Sequence, residues 1–414
     1  MIKHMGWLLL LSLAACEVHV SGDAVKGSGK LAVEKREVGA FKAIEMSGPF
    51  DMIVTGEGGP AVEVSGDDNL IGQIVTTVNG DTLVVSRKKH NGIQIGVGVS
   101  DYPLTVKISA ANLVRLRNSG SGDLHLDQYR GDKLELFNEG SGDMHLAGKV
   151  GELALKSNGS GDIDLRQLTA AKINAKMTAS GDTLIGSVSQ ELNIETSGSG
   201  DISAAAIESA KAIIVMRGSG DVELGGQLAG LNLAMYGSGD ADVRGLQADA
   251  ATVVVNGPGN LQLAGKVKDL QAEINGPGDL DMDKLELTHA GIKDTGPGDV
   301  SLNAVSDSLE LETSGSGDVR AAGLQQAQVK LTMDGPGAVS LKGSAKLLIA
   351  KLSGSGDLDA TSLLADRAQV NVRGQGVAQV NVKKAVEGQA AKAGKEGDST
   401  ASRIVKVDRR GVVQ

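Results

Sequence analysis

A carboxylate returns along this chain at intervals of 20 and 19 residues: Asp123, Asp143, Asp162, Asp182, Asp201, Asp221, Asp240, Asp279, Asp299, Asp318 and Asp357. Asn260 and Ala338 stand at two intermediate rungs and Val377 at the last. If the rungs stack about 5 Å apart, the file offers hard oxygen ligands in a row, which is the chemistry of calcium. The same spacing makes neighbouring carboxylates repel by roughly 1 kcal/mol in water, so something must offset it. Hydrogen bonds from backbone N–H groups of its own corner to each carboxylate, an Asx-type arrangement, would do so, worth about 1.5–3 kcal/mol when charge-assisted. Asn260 keeps that bond without the charge and Ala338 dispenses with it. This favours a structural corner, with calcium as the alternative; no other cofactor is expected.

Two further sets of residues could do chemistry. His125 and His145 occupy equivalent places one interval apart, with Asp164 an interval beyond, so stacking would assemble a two-histidine, one-carboxylate patch able to hold a metal ion. The same file continues Leu184, Ser203, Glu223, Asp242 and Gln262, as an ordinary surface does. Cys16 is the sole cysteine, so it cannot form an internal disulfide. There is no Gly-x-Ser-x-Gly elbow and no nucleophilic triad to assign. No catalytic residue is expected.

The segments between these residues define what must position them. Each Asp but Asp182 ends a tetrad, Gly-Ser-Gly-Asp or Gly-Pro-Gly-Asp, followed by an apolar–variable–apolar triplet such as Leu124-His125-Leu126 or Val300-Ser301-Leu302. Period two means a strand with one buried face. Six and four residues before the first Gly stand further apolar pairs, Leu134/Leu136, Leu192/Ile194 and Leu309/Leu311 among them, which predict a second strand facing the same interior. In the 20-residue units an extra apolar residue lies between the two, at Tyr129, Leu168, Ile207, Leu246, Leu285, Leu324 and Leu363, where the shorter units have glycines such as Gly148, Gly226, Gly265 and Gly343. The tetrad reads as a type II corner with its third-position Gly at positive φ, lying outside the sheets because Pro258, Pro277, Pro297 and Pro336 lack an N–H.

Repeats of this length cannot bury a core alone and must stack. The expected fold is therefore all-β, a single-stranded right-handed parallel β-helix with coils of about 19–20 residues, right-handed because parallel crossovers are. Fourteen coils advancing about 4.8 Å each would make a rod on the order of 65 Å long. The composition fits thin aliphatic layers: 58 Gly in 414 residues and 2% aromatics. A formal charge of −10 argues against nucleic acid, which calls for a basic stripe.

The N-terminus carries an address. Met1-Ile2-Lys3-His4 is a short basic region, Trp7 to Leu11 begins an apolar one too short to span a bilayer, and Leu13-Ala14-Ala15-Cys16 follows. The last four residues resemble the lipobox of bacterial lipoprotein signal peptides. That resemblance implies cleavage before Cys16, acylation of it, and anchoring by several chains. Glu17 in place of the Asp that retains lipoproteins in the inner membrane implies delivery to the outer membrane.

Residues 1–15 are thus expected to be a signal peptide, 16–37 a lipidated spacer, 38–112 an irregular head, 113–382 the regular solenoid and 383–414 a basic tail or C-terminal cap. The head's Ser47-Gly48-Pro49-Phe50-Asp51-Met52-Ile53-Val54, Val62-Glu63-Val64-Ser65-Gly66-Asp67 and Gly80-Asp81-Thr82-Leu83-Val84-Val85, followed by the Gly-Ser-Gly-Asp coils, resemble the head GIN-domain family of putative auto-transporter adhesins. The resemblance covers about residues 38–380 and implies an exported β-helix without catalytic residues. The function expected is a non-enzymatic, lipid-anchored envelope module of adhesin or scaffold type, with a protein or glycan ligand. The alternative is a polysaccharide-binding or polysaccharide-modifying protein using the head, where Arg87-Lys88-Lys89-His90 and Asp101-Tyr102 have room for a site.

Overall fold

A computed structural model describes residues 25–88, 101–383, 403–408 and 411–413. The coils from Leu124 onward are bent strands of 15 and 14 residues in alternation: Leu124–Asn138, Met144–Ser157, Ile163–Met177, Thr183–Thr196 and so on to Leu358–Val372. One coil is interrupted at Ala304, between Val300–Asn303 and Val305–Thr313. Neighbouring coils pair parallel and in register, as Met144 with Leu124 and Ile163, and Leu153 with Leu134 and Ile173. The result is a parallel β-solenoid. The stretch between the two walls, where the longer units carry their extra apolar residue, is continuous with both, and only register shifts near the bends mark it.

The alternation of coil lengths has a packing reason. Tyr129 of a long coil pairs with Gly148 of the next, and Gly148 in turn with Leu168; Ile207 pairs with Gly226, and Leu246 with Gly265. Tyr129, Leu168, Ile207 and Leu246 are all buried. Gly148 has φ +136°, and a Cβ there would stand 2.1 Å from the Tyr129 carbonyl oxygen. At these crossings the short coil passes over the long one through glycine, whereas the interrupted coil does so with Ala304 at φ +58°. The triplet and pair positions line one continuous interior from Ile44 to Val382.

The corners differ from the type II turn expected. No tetrad glycine from Gly120 to Gly376 lies at positive φ. Glycine is required there for a different reason: a Cβ on Gly140 would lie 1.9 Å from the Gly120 oxygen, and one on Gly142 2.0 Å from the Gly122 oxygen. Corner backbones stack too closely for a side chain at these levels, although Ala179 takes the first glycine's place in one corner and is buried there. Nor do the corners stand outside the ladder, because Ser141 and Ser160 donate their N–H groups to the carbonyls of Gly120 and Gly140 at 3.0 Å. Where proline removes that donor, Gly278 and Gly337 donate instead, to Gly257 and Gly315.

The head continues both walls with shorter strands. Ala43–Ser47 lies parallel between Thr82–Arg87 and Arg115–Asn118, and Asp51–Thr55 parallel between Thr105–Ser109 and Leu124–Asn138. Antiparallel strands then end the walls: Ile74–Asn79 on Thr82–Arg87, and Leu31–Arg36 on Ala61–Asp67. At the other end Arg403–Asp408 returns antiparallel on Ala378–Val382 and pairs with Gly411–Val413. Val405 and Val407 are buried there, so the last coil is covered by a cap.

Candidate functional site: the aspartate ladder and the corner groove

The aspartates form one file beside the corners, but their hydrogen bonds run between coils and not within the corner as expected. The N–H of Asp143 donates to Asp123 Oδ1 at 2.9 Å, that of Asp162 to Asp143 Oδ1 at 2.8 Å, and that of Asp182 to Asp162 Oδ1 at 2.8 Å. Asp201, Asp221 and Asp240 continue in the same way at 2.9, 2.8 and 2.8 Å. The physical reason is the 4.8 Å rise: it places the next coil's N–H directly above a short carboxylate, nearer in line than any donor of its own turn.

Exceptions in the sequence fit this rail. Asn260 accepts the Asp279 N–H through Oδ1 at 3.0 Å, so an amide serves as well as a carboxylate. Asp299 and Asp318 extend the file, and the Ala338 N–H donates to Asp318 Oδ1 at 3.0 Å, while Ala338 has no side-chain oxygen to accept from Asp357. Asp357 resumes it by accepting from Val377 at 2.7 Å. One member was missed in the sequence: Asp51 Oδ1 accepts the Asp123 N–H at 3.1 Å, so the rail starts in the head. The signal was present as Gly48-Pro49-Phe50-Asp51, a tetrad with Phe in place of the second Gly.

The histidine patch is assembled only in part. His125 and His145 stack with ring centroids 4.8 Å apart and planes 11° from parallel. Asp164 lies 3.7 Å from His145 Nδ1, but its carboxylate is gripped by Arg166 through Nε at 3.0 Å and Nη2 at 2.6 Å. That guanidinium holds the Asp164 carboxyl down to about 2. Among the described residues no three His, Cys, Asp or Glu side chains are grouped to hold a metal ion.

On the other side of the corners runs a groove of about 1200 Å³, from Ser47, Gly48 and Pro49 to Gly237 and Ser238. It crosses eight coil levels, about 34 Å at the strand spacing. One bank is the tetrad serines, from Ser121 to Ser238. The other is the residue before each tetrad: Ser119, Glu139, Asn158, Thr178, Ser197 and Arg217. The groove ends where prolines replace the serines at Pro258 and beyond. Its floor is glycine backbone, and its chemistry is that of hydroxyls and a few amides, acids and cations.

Inside the rod, polar groups stand just before the corners. Asn118 is fully buried and accepts the Gly120 N–H through Oδ1 at 2.9 Å. Asp294 holds the same place much further along, accepting from Gly296 N–H at 3.1 Å and the Thr313 hydroxyl at 3.0 Å. Burial pushes its carboxyl up to about 6, against the pull of those two donors and with a smaller push from the Asp299 charge. Cys16 and the head residues Lys89 and His90 lie outside the described residues. Arg87 is buried and turned away from solvent, whereas Tyr102 is 39% exposed.

A family described as "Putative auto-transporter adhesin, head GIN domain" matches residues 40–203, 187–263, 227–323 and 305–395. No curated protein matches the chain. Among solved structures, a putative adhesin from Parabacteroides merdae is 18% identical, over 77% of this chain and 98% of that one, with a TM-score of 0.30. A putative adhesin from Bacteroides fragilis is 17% identical over 76% and 99%, with a TM-score of 0.27. A putative lipid binding protein from Parabacteroides distasonis is 14% identical over 76% and 98%, with a TM-score of 0.25.

Proposed function

The chain belongs to the family of putative auto-transporter adhesins with a head GIN domain, and from that premise we propose that it is a non-enzymatic, adhesin-like module of the cell envelope. The observation that carries the reading is the corner groove, an open polar trough about 34 Å long laid on a rail of backbone and carboxylate hydrogen bonds. An extended glycan or peptide strand matches its length and its hydroxyl lining, and regular stacking holds successive subsites at one spacing. The uniformly short corners leave the coils no long loops from which a catalytic pocket could be built. The Leu13-Ala14-Ala15-Cys16 motif supports acylation of Cys16 and attachment to the outer membrane.

Two measurements test this. Wild-type protein expressed in a bacterial host should take up a fatty-acid probe, and Cys16→Ser should not; label on the Ser variant refutes the anchor. A fluorescent soluble chain beginning at Glu17 should bind defined members of a glycan and peptide array, and Ser160→Arg with Ser199→Arg, which block the groove, should remove that binding. Equal binding by both proteins would place the ligand elsewhere, and no binding by either would end the adhesin reading for these ligand classes.

A further inference from the structure

The strand Leu31–Arg36 ends one wall of the rod, and it pairs with Ala61–Asp67 along one edge only among the described residues. Its outward face carries Leu31 and Val33, which are 57% and 56% exposed. An open edge with apolar side chains beside it is a template for another strand. The question is which strand it fits.

Its own sequence answers. Lys30-Leu31-Ala32-Val33-Glu34 reads alike from either end in polarity and carries opposite charges at its two ends. If a second copy is laid antiparallel and centred on Ala32, Lys30 faces Glu34 twice, Leu31 faces Val33 twice, and Ala32 faces itself. The four exposed apolar side chains then cover one another on one face. Lys30 is exposed and in no ion pair among the described residues, while Glu34 is paired only along its own strand, with Arg36 at 2.9 Å. Other registers fit worse. Centring on Val33 sets Arg36 against Lys30, and centring between Val33 and Glu34 sets an apolar residue against a charge.

We propose that two copies of this chain join at the strand Leu31–Arg36, end to end and antiparallel about Ala32. The two solenoids then run away from a shared junction, doubling the rod. Because residue 25 follows Cys16 by nine residues, which span at most about 31 Å, acylated N-termini would emerge close to that junction and give the pair two anchors instead of one.

The test uses the soluble chain beginning at Glu17, by sedimentation equilibrium and small-angle scattering. A reversible dimer is expected, with a maximum dimension close to twice that of the single rod. Lys30→Glu or Glu34→Lys alone creates two like-charged pairs per dimer and should weaken association about tenfold, and the double exchange should restore it. Val33→Lys should give monomers, and thermal melts of all variants should match the wild type, showing that folding is intact. Three results would overturn the proposal: wild-type chain that stays monomeric up to its solubility limit; a dimer whose constant ignores both charge reversals; or a dimer that appears only when the chain begins at Val25, which would assign the open edge to residues 17–24 of the same chain.

Discussion

Replacing Asp294 by Asn should make the rod more stable at neutral pH and remove part of its pH dependence. Asp294 is fully buried, and burial raises its carboxyl to about 6 from an ordinary value of 3.8. The folded chain thus binds this proton more tightly than the unfolded one, so its contribution to stability is fully present below pH 3.8 and is lost as pH rises through 6. A shift of this size corresponds to about 3 kcal/mol. Asparagine can keep both contacts, its Oδ1 accepting from Gly296 as Asn118 accepts from Gly120 and its Nδ2 donating to the Thr313 hydroxyl oxygen, and it has no charge to desolvate. Denaturant melts at pH 4 and pH 7.5 should show wild-type stability falling more steeply between the two than that of Asp294→Asn, with the variant ahead by up to about 3 kcal/mol at the higher pH. Parallel pH profiles, or a variant less stable at pH 7.5, would refute the assignment of a charged, poorly solvated carboxylate in the core.

Two other perturbations follow from the rail and the register. Asp221→Asn keeps the acceptor for the Asp240 N–H and should melt no lower than wild type, whereas Asp221→Ala should be less stable than the Asn variant by about 0.5–1.5 kcal/mol. Deleting residues 163–201, one long and one short coil, sets a short coil against a long one again and should leave a folded, shorter rod by circular dichroism and scattering. Deleting about ten residues removes half a coil, breaks the inward pattern by setting corners against strands, and should not fold; two deletions of equal stability would contradict the two-coil unit.

The solenoid was legible because its signals are local and repeated. Apolar alternation at Leu124/Leu126 and Leu134/Leu136 marks both inner walls, and the 20/19 alternation marks the Tyr129–Gly148 stacking. What the sequence could not show is what depends on the neighbouring coil. An Asp beside a turn predicts a bond within that turn, yet the donor sits 19 or 20 residues away. The corner glycines suggested positive φ, yet what crowds a Cβ there is a carbonyl of the previous coil. The groove escaped for the same reason, since a serine in one tetrad is unremarkable until eight levels align. Asp294 reads as one more acid in a strand, and only its place in the inward file reveals that it is buried.

The central claim is that the aspartate file is a hydrogen-bonded rail that stiffens the rod without an ion. It is tested most directly by the melting temperature of the soluble chain, measured in metal-free buffer with chelator and again across a calcium titration. A flat response is expected, because Oδ1 of each rung from Asp123 to Asp240 already holds the next N–H at 2.7–2.9 Å. Stabilisation that grows with free calcium, about 2.7 kcal/mol per site at a hundredfold excess over its dissociation constant, and that chelator reverses, would contradict the claim and make the file a row of calcium sites.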